Sequence, residues 1–233
     1  MIDGKRVLGI IPARGGSKGL PGKNILPIAG KPLVIWTIEC AKKSVFLDTL
    51  IVSTENERIG GIAEKAGAGV PFARPAELAT DSARTVDVIL HALDWFSDRG
   101  HRYDIVVCLQ PTSPLRAPSD IDNALRQMSE TSAKAVVSVC ENDHPAQWIN
   151  SLPQDKCMKD FLAPEVINTP RQKFPLFYRL NGAVSMAETE YLRRLESFIG
   201  DETYAYIMPR ERSIDIDTEL DFRIAEYLLN ELK

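Results

Sequence analysis

The segment Ile11-Pro-Ala-Arg14-Gly-Gly-Ser17-Lys18-Gly-Leu-Pro-Gly-Lys23-Asn24 sets Arg14, Lys18 and Lys23 among glycines, directly after a short apolar run. Glycine lets backbone amides approach an anion closely, and the amides then donate to its oxygens. The cations neutralise a polyphosphate and the charge that develops as it leaves. Neither G-x-x-x-x-G-K-[ST] nor G-x-G-x-x-G fits, so this is neither a Walker A loop nor a dinucleotide fingerprint. The plain alternative is a solubilising basic turn. The density of glycine and charge at a strand end favours phosphate.

Four further constellations carry polar chemistry. Ser213-Ile-Asp215-Ile-Asp217-Thr218 reads as a strand, on which residues two apart face the same way. Asp215 and Asp217 then point together while Ile214 and Ile216 face the core. Such a pair suits Mg²⁺, which prefers oxygen and keeps waters and substrate phosphate in its shell. A strand end with two solvated aspartates is the alternative. Thr218-Glu-Leu-Asp221 reads as a capping box, which gives Asp221 a structural role. In Leu109-Gln110-Pro-Thr112-Ser113-Pro-Leu-Arg116, the residues Gln110, Thr112 and Ser113 suit sugar hydroxyls, and Arg116 offers a fork for a carboxylate. The alternative is a proline-stiffened turn.

Arg74-Pro-Ala-Glu-Leu-Ala-Thr-Asp-Ser82 leads into a helix whose N-terminus can receive polar or anionic groups. Arg74 is conformationally held by the proline after it. Ser82 is either a ligand contact or a helix cap. Finally come Pro170-Arg171-Gln172 and Arg179-Leu-Asn181-Gly-Ala183, whose arginines read alone as solvated charges. His144 and Trp148 read as interface or core.

Elements must bring these segments together. Short apolar runs at Val7–Ile11, Thr49–Ser53, Asp104–Leu109 and Ala135–Val139 show no polar alternation, as strands buried on both faces do. Helical periods lie between them at Pro32–Lys43, Glu55–Ala66, Ser82–Phe96 and Ser119–Met128, the last with Ser119 as N-cap. The pattern predicts an α/β fold with a mostly parallel sheet flanked by helices. From Glu141 to Arg179 prolines break the pattern, and this stretch reads as an excursion that packs on something else, such as a second subunit. The rhythm resumes with a strand at Gly182–Met186, a helix near Ala187–Leu195, a strand at Tyr204–Met208 and a last helix over Thr218–Leu232. Ligands of open α/β sheets bind at the carboxyl ends of strands, where the first and third constellations fall.

Composition narrows the classes. The 233 residues are 44% hydrophobic and 26% charged, enough for one large domain with a real core. A net charge of −4 carries no basic excess for nucleic acid. No apolar run approaches a membrane span, and the run after Lys5-Arg6 is too short for a signal peptide. Cys40, Cys108, Cys140 and Cys157 form no C-x-x-C pair, and His91, His101 and His144 are scattered, so zinc is not expected. Reduced thiols in a cytoplasmic protein are the simpler reading.

Taken in order, the phosphate-type loop, Lys23-Asn24, Arg74–Leu78, Leu109–Arg116, Pro170–Gln172, Asn181–Ala183 and Ser213–Asp221 make the chain resemble the acylneuraminate cytidylyltransferases. These are the CMP-sialic acid synthetases and their relatives acting on legionaminic and pseudaminic acids. The resemblance spans nearly the whole chain. It implies a Rossmann-like nucleotidyltransferase domain over residues 1–233, usually dimeric, with residues 141–180 as an inserted Pro-rich dimerisation and sugar-site arm. It implies transfer of cytidylyl from CTP to a nine-carbon 2-keto acid sugar, with release of pyrophosphate. Arg14, Ser17, Lys18 and Lys23 match the CTP phosphate loop, and Asn24, Arg74 and Ser82 the positions that hold cytidine. Asp215 and Asp217 match the magnesium carboxylates. Gln110 matches a sugar contact and Arg171 a residue near the sugar or dimer interface; Ser113, Arg116 and Asn181 are placed with them on the sugar side.

The family's sugar half is altered here. Ser185 stands where sialic acid members tend to carry Tyr, and His144-Pro-Ala-Gln147-Trp148 lacks a nearby Lys. The expected acid is therefore sialic acid or a relative such as legionaminate. Pseudaminate, the eight-carbon acid Kdo, a sugar-1-phosphate substrate and a silent nucleotide-binding protein are the alternatives. The expected chemistry is in-line displacement by the sugar's C2 hydroxyl at the α-phosphorus, with Arg14, Lys23 and Asp217 as catalytic residues and no side chain as obligatory base.

Overall fold

Val7–Pro12 forms β1, and its side chains alternate between two cores. Val7 and Ile11 enter one hydrophobic cluster; Leu8 and Ile10 enter the other. A strand buried on both faces needs apolar residues at every position, hence the unbroken run in the sequence. The computed structural model describes residues 1–17 and 19–231. Lys18 and Leu232, both named above, lie outside the described residues.

β1 pairs in parallel with β2 (Thr49–Ser53) on one side and β3 (Ile105–Cys108) on the other. β4 (Ala135–Glu141) pairs in parallel with β6 (Thr203–Ile207). Between the two parallel sets runs β5 (Tyr178–Glu188), antiparallel to both β3 and β4. The sheet order is β2-β1-β3-β5-β4-β6. The predicted mostly parallel sheet is present. The reversal and the full length of β5 are findings of the structure, since a pattern buried on both faces carries no direction.

Helices α1 (Leu33–Lys42), α2 (Glu57–Lys65) and α4 (Pro118–Glu130) cover one face through Val34, Ile38, Ile59, Ala63, Ile121 and Leu125. Helices α3 (Thr85–Ser97) and α5 (Thr189–Leu195) cover the other through Ile89, Leu93, Phe96 and Leu192. Helix α6 (Glu219–Glu231) packs Ala225 and Leu229 on Ile28, Leu33, Leu115 and Ile216. Among the described residues no helix is long and apolar enough to cross a membrane.

Several helix starts differ from expectation. Asn56 caps α2, its Oδ1 accepting the Arg58 and Ile59 amides at 3.0 and 3.1 Å. Helix α3 begins at Thr85, so Ser82 is not its cap; the Ser82 hydroxyl lies 3.3 Å from that of Thr80. Ser119 does not cap α4 either. Pro118 opens that helix and Asp120 reaches back to accept the Ala117 amide at 2.8 Å.

Between β4 and β5, residues 142–177 hold only 3-10 turns at Ala146–Trp148 and Arg171–Lys173. The expected 141–180 excursion is thus trimmed at both ends, because sheet pairing claims Glu141 and Tyr178. Trp148 gathers the His144 and Phe174 rings at 6.3 and 6.1 Å. Ile149, Leu152, Met158, Ile167 and Leu176 of the same stretch are exposed.

Candidate active site

β1, β2 and β3 run parallel and end at one edge, so the segments after them converge there. After β1, the Gly15 amide donates to Glu55 Oε1 at 2.6 Å; Glu55 follows β2. Asn24 is buried, and its Nδ2 donates to the Arg14 carbonyl at 2.8 Å, which closes the loop on itself. Arg14 Nη2 pairs with Asp81 at 2.8 Å. Lys23 Nζ donates to the Ile216 carbonyl at 2.8 Å and pairs with Asp217 Oδ1 at 2.9 Å. A Cβ on Gly19 would come within 2.4 Å of the Asp217 carbonyl oxygen, so the loop backbone lies directly against the aspartate segment. Ser17 sits half-buried on the same loop.

A cavity of about 230 Å³ opens between these segments. Arg14, Lys23, Asn24, Arg74, Gln110 and Thr112 line it, as do Thr80 and Asp81. It brings together residues from three of the sequence constellations. Arg74 is buried, and its Nε donates to Ser53 Oγ at 3.1 Å, with further bonds to the Ser53 and Leu78 carbonyls. It carries the Pro75–Ala79 turn on the end of β2, as the proline after it suggested. Burial pushes its pKa down and the Arg14 charge adds to that, while Glu55 opposes both.

The aspartate segment departs from expectation. Residues 213–217 form no strand; the Ile216 amide donates to the Thr112 carbonyl at 2.9 Å in place of a ladder. Asp217 is exposed and drawn to Lys23. Asp215 is half-buried beside Thr112, and its Oδ1 is a buried atom with no partner among the described residues. Burial pushes the Asp215 carboxyl above the usual range; a Thr112 hydrogen bond pulls it down and the Asp217 charge pushes it up. Among the described residues no group of three or more His, Cys, Asp and Glu is arranged to hold a metal. An orphaned buried carboxylate oxygen beside an exposed carboxylate nevertheless fits a hard cation that keeps waters and phosphate in its shell. Asp221 accepts the Thr218 amide at 2.8 Å, while its own amide donates to Thr218 Oγ1 at 3.3 Å, the capping box read from sequence.

The sugar side needs the larger correction. Arg116 is no fork for a carboxylate: it is buried, and its Nε and Nη2 donate to the Ala183 and Gln110 carbonyls at 2.7 and 2.6 Å. Asn181 is buried too. Its Oδ1 accepts from Ser138 Oγ at 2.5 Å and its Nδ2 donates to Ser213 Oγ at 2.9 Å, so its polar atoms are engaged inside. It forms an irregularity of the β4–β5 ladder with Gly182, whose φ of +69° would strain any other residue. Ser113 is buried with its Oγ turned away from solvent. Gln110 does line the cavity, and its Oε1 accepts from Thr112 at 3.4 Å. Arg171 is exposed on the excursion and donates to the Asp143 carbonyl at 2.6 Å.

Glu55 and Asp81 escaped the sequence reading. Both had a usable signal: each is an acid in a segment that the carboxyl-edge rule sends to this site.

The cytidylyltransferase family profile matches residues 8–207. An N-acylneuraminate cytidylyltransferase of Escherichia coli is 39% identical over 222 residues, 94% of this chain and 51% of that protein. The chain therefore spans about half the length of that relative. A CMP-N,N'-diacetyllegionaminic acid synthase of Legionella pneumophila is 34% identical over 228 residues, 96% of each chain. A CMP:2-keto-3-deoxy-manno-octonic acid synthetase complexed with CTP shares the fold at a TM-score of 0.70 and 16% identity, over 98% of this chain and 100% of that one. By sequence over most of its length, and by fold, this chain belongs to the cytidylyltransferases.

Proposed function

We propose that this protein makes a CMP-sugar and pyrophosphate from CTP and a nine-carbon 2-keto acid sugar, sialic acid or a relative such as legionaminate. One observation carries the reading: a single cleft at the carboxyl edge is lined by Arg14, Lys23, Asn24, Arg74 and Gln110, with Asp217 on Lys23. Two relatives of similar sequence are named for such transfers.

The sugar's C2 oxygen attacks the α-phosphorus, the bond from that phosphorus to the bridging β-oxygen breaks, and the hydroxyl proton goes to solvent. Positioning and electrostatics supply most of the acceleration in such transfers. Arg14, Lys18 and Lys23 hold the triphosphate and stabilise the departing pyrophosphate. Ser17 donates to the phosphates; Asn24, Arg74 and Ser82 hold the cytidine. Asp215 and Asp217 would hold Mg²⁺, which supplies positive charge for the phosphate oxygens when bound. Gln110 takes a sugar hydroxyl. With Arg116 turned inward, Arg171 is the cation for the acid's carboxylate. The exposed apolar side chains of the excursion support its packing on a second copy as a dimerisation arm. Buried free thiols at Cys40, Cys108 and Cys140 support a cytoplasmic setting.

The test is pyrophosphate release in Mg²⁺, crossing CTP, UTP, GTP and ATP with N-acetylneuraminate, legionaminate, pseudaminate and Kdo. The expected result is release with CTP and a nine-carbon acid alone. Release with Kdo alone moves the substrate to eight carbons. CTP binding without release from any acid overturns the reading.

A further inference from the structure

Asp120 is fully buried at the start of α4, yet it does more than cap that helix. Its Oδ2 accepts the Ala117 amide at 2.8 Å and Arg212 Nε at 3.1 Å. Its Oδ1 accepts Arg212 Nη2 at 2.7 Å and the Tyr206 hydroxyl at 3.3 Å. The Arg212 fork is thus bidentate on a carboxylate shielded from water, the strongest form of this contact. A cap alone would need only the Ala117 bond.

What the pair connects is more telling. Ala117 ends the Gln110–Arg116 loop, the wall of the cleft that carries Gln110 and Thr112. Arg212 opens Ser213–Asp217, the segment that carries Asp215 and Asp217 and lies against Lys23 of the cleft. This segment meets the Gln110–Arg116 wall at one backbone bond, from the Ile216 amide to the Thr112 carbonyl at 2.9 Å. The aspartate segment has no strand ladder to stiffen it. Its upstream end is held by Arg212 on Asp120 and by Ser213, whose Oγ accepts from Asn181 and donates to the Pro209 carbonyl at 2.8 Å.

We propose that the Asp120–Arg212 pair is a positioning device that fixes Asp215 and Asp217 against the Gln110–Arg116 wall. This rests on the cytidylyl-transfer reading of that site. Neither residue touches substrate; both act through the aspartates. A purely structural ion pair would affect stability alone, and a buried pair is often dispensable for it when replaced by apolar groups.

The test uses the full chain with Arg212→Gln, Arg212→Lys and, as reference, Asp217→Asn. Mn²⁺ binding in the presence of CTP is read from the paramagnetic resonance of the free ion. CTP binding in EDTA, the melting temperature, kcat and KM are measured beside it. Arg212→Gln is expected to weaken Mn²⁺ binding and lower kcat by roughly 10- to 100-fold, with CTP binding in EDTA unchanged. Arg212→Lys keeps the charge without the fork and is expected to fall between Gln and wild type. If Arg212→Gln does not fold, the lysine variant decides.

An Arg212 variant that melts lower yet binds Mn²⁺ as wild type overturns the positioning role. If Asp217→Asn weakens Mn²⁺ binding while the folded Arg212 variants do not, only the positioning role falls. If Asp217→Asn also leaves Mn²⁺ binding intact, the two-aspartate site falls with it.

Discussion

At the edge where β1, β2 and β3 end, buried polar atoms go without partners: Asn24 Oδ1, Glu55 Oε2, Ser113 Oγ, Arg116 Nη1 and Asp215 Oδ1, among the described residues. At the opposite edge the polar groups are paired. Glu188 accepts from Lys5 and Lys134 at 2.7 and 2.9 Å, Asp104 accepts the Arg6 amide at 2.7 Å, and Arg193 meets Asp94 at 2.6 Å. The larger cavity, about 650 Å³, lies at this satisfied edge, and the 230 Å³ cleft at the other. Each unsatisfied buried group costs about 1–3 kcal/mol, so a cluster of them marks where stability is given up. Cavity size favours one edge; unmet hydrogen bonding and converging cations favour the other, where the proposed site lies.

The largest effect that breaks this contrast is at Asp217. Asp217→Asn keeps the shape and removes the charge, and kcat is expected to fall roughly 10²–10³-fold in the pyrophosphate-release assay. Activity near wild type would remove Asp217 from the machinery. Gly182→Ala comes next. Its new Cβ would lie 2.9 Å from Gln110 Oε1 and 3.2 Å from Asp215 Oδ2, at a φ of +69°. A shift of that wall should lower kcat/KM by roughly 10- to 100-fold, with CTP binding less affected.

Two carboxyls then sharpen the contrast with opposite signs. Asp215 is destabilised in its charged form, first by burial and then by Asp217. Asp215→Asn should therefore raise the melting temperature in metal-free buffer near pH 7, by about 2–4 °C, while lowering kcat less than Asp217→Asn does. Glu188 is the reverse. Burial pushes its carboxyl up, but hydrogen bonds from Lys5 and Lys134 outweigh that and hold it below its ordinary value of 4.5. Its contribution is thus present above that value and lost as pH falls through the depressed one. Glu188→Gln should cost about 1 kcal/mol at pH 7 in denaturant titration, and the difference from wild type should vanish in acid.

What was legible follows from how local each feature is. The phosphate-type loop is a contiguous pattern of glycine and charge, and it sits where the strand order sends it. Asp221 with Thr218 was readable for the same reason, since a capping box spans one turn. Arg116, Ser113 and Asn181 were misplaced because burial is a tertiary property: Arg116 is held by the Ala183 carbonyl of β5, Asn181 on β5 itself is held by Ser138 and Ser213, and nothing near these residues in sequence announces that. Asp215 and Asp217 alternate with isoleucine, as in a strand, but Ile216 finds a single backbone partner at Thr112 instead of a ladder. The direction of β5 was hidden because strands buried on both faces look alike either way.

The most direct measurement is amide hydrogen exchange with and without CTP. The account predicts new protection along Gly15–Asn24, at Arg74–Ala79 and at Gln110–Thr112, with the Asp94–Asp104 and Glu188–Arg193 segments unchanged. Protection confined to those last two segments would place the nucleotide in the larger cavity and contradict the assignment.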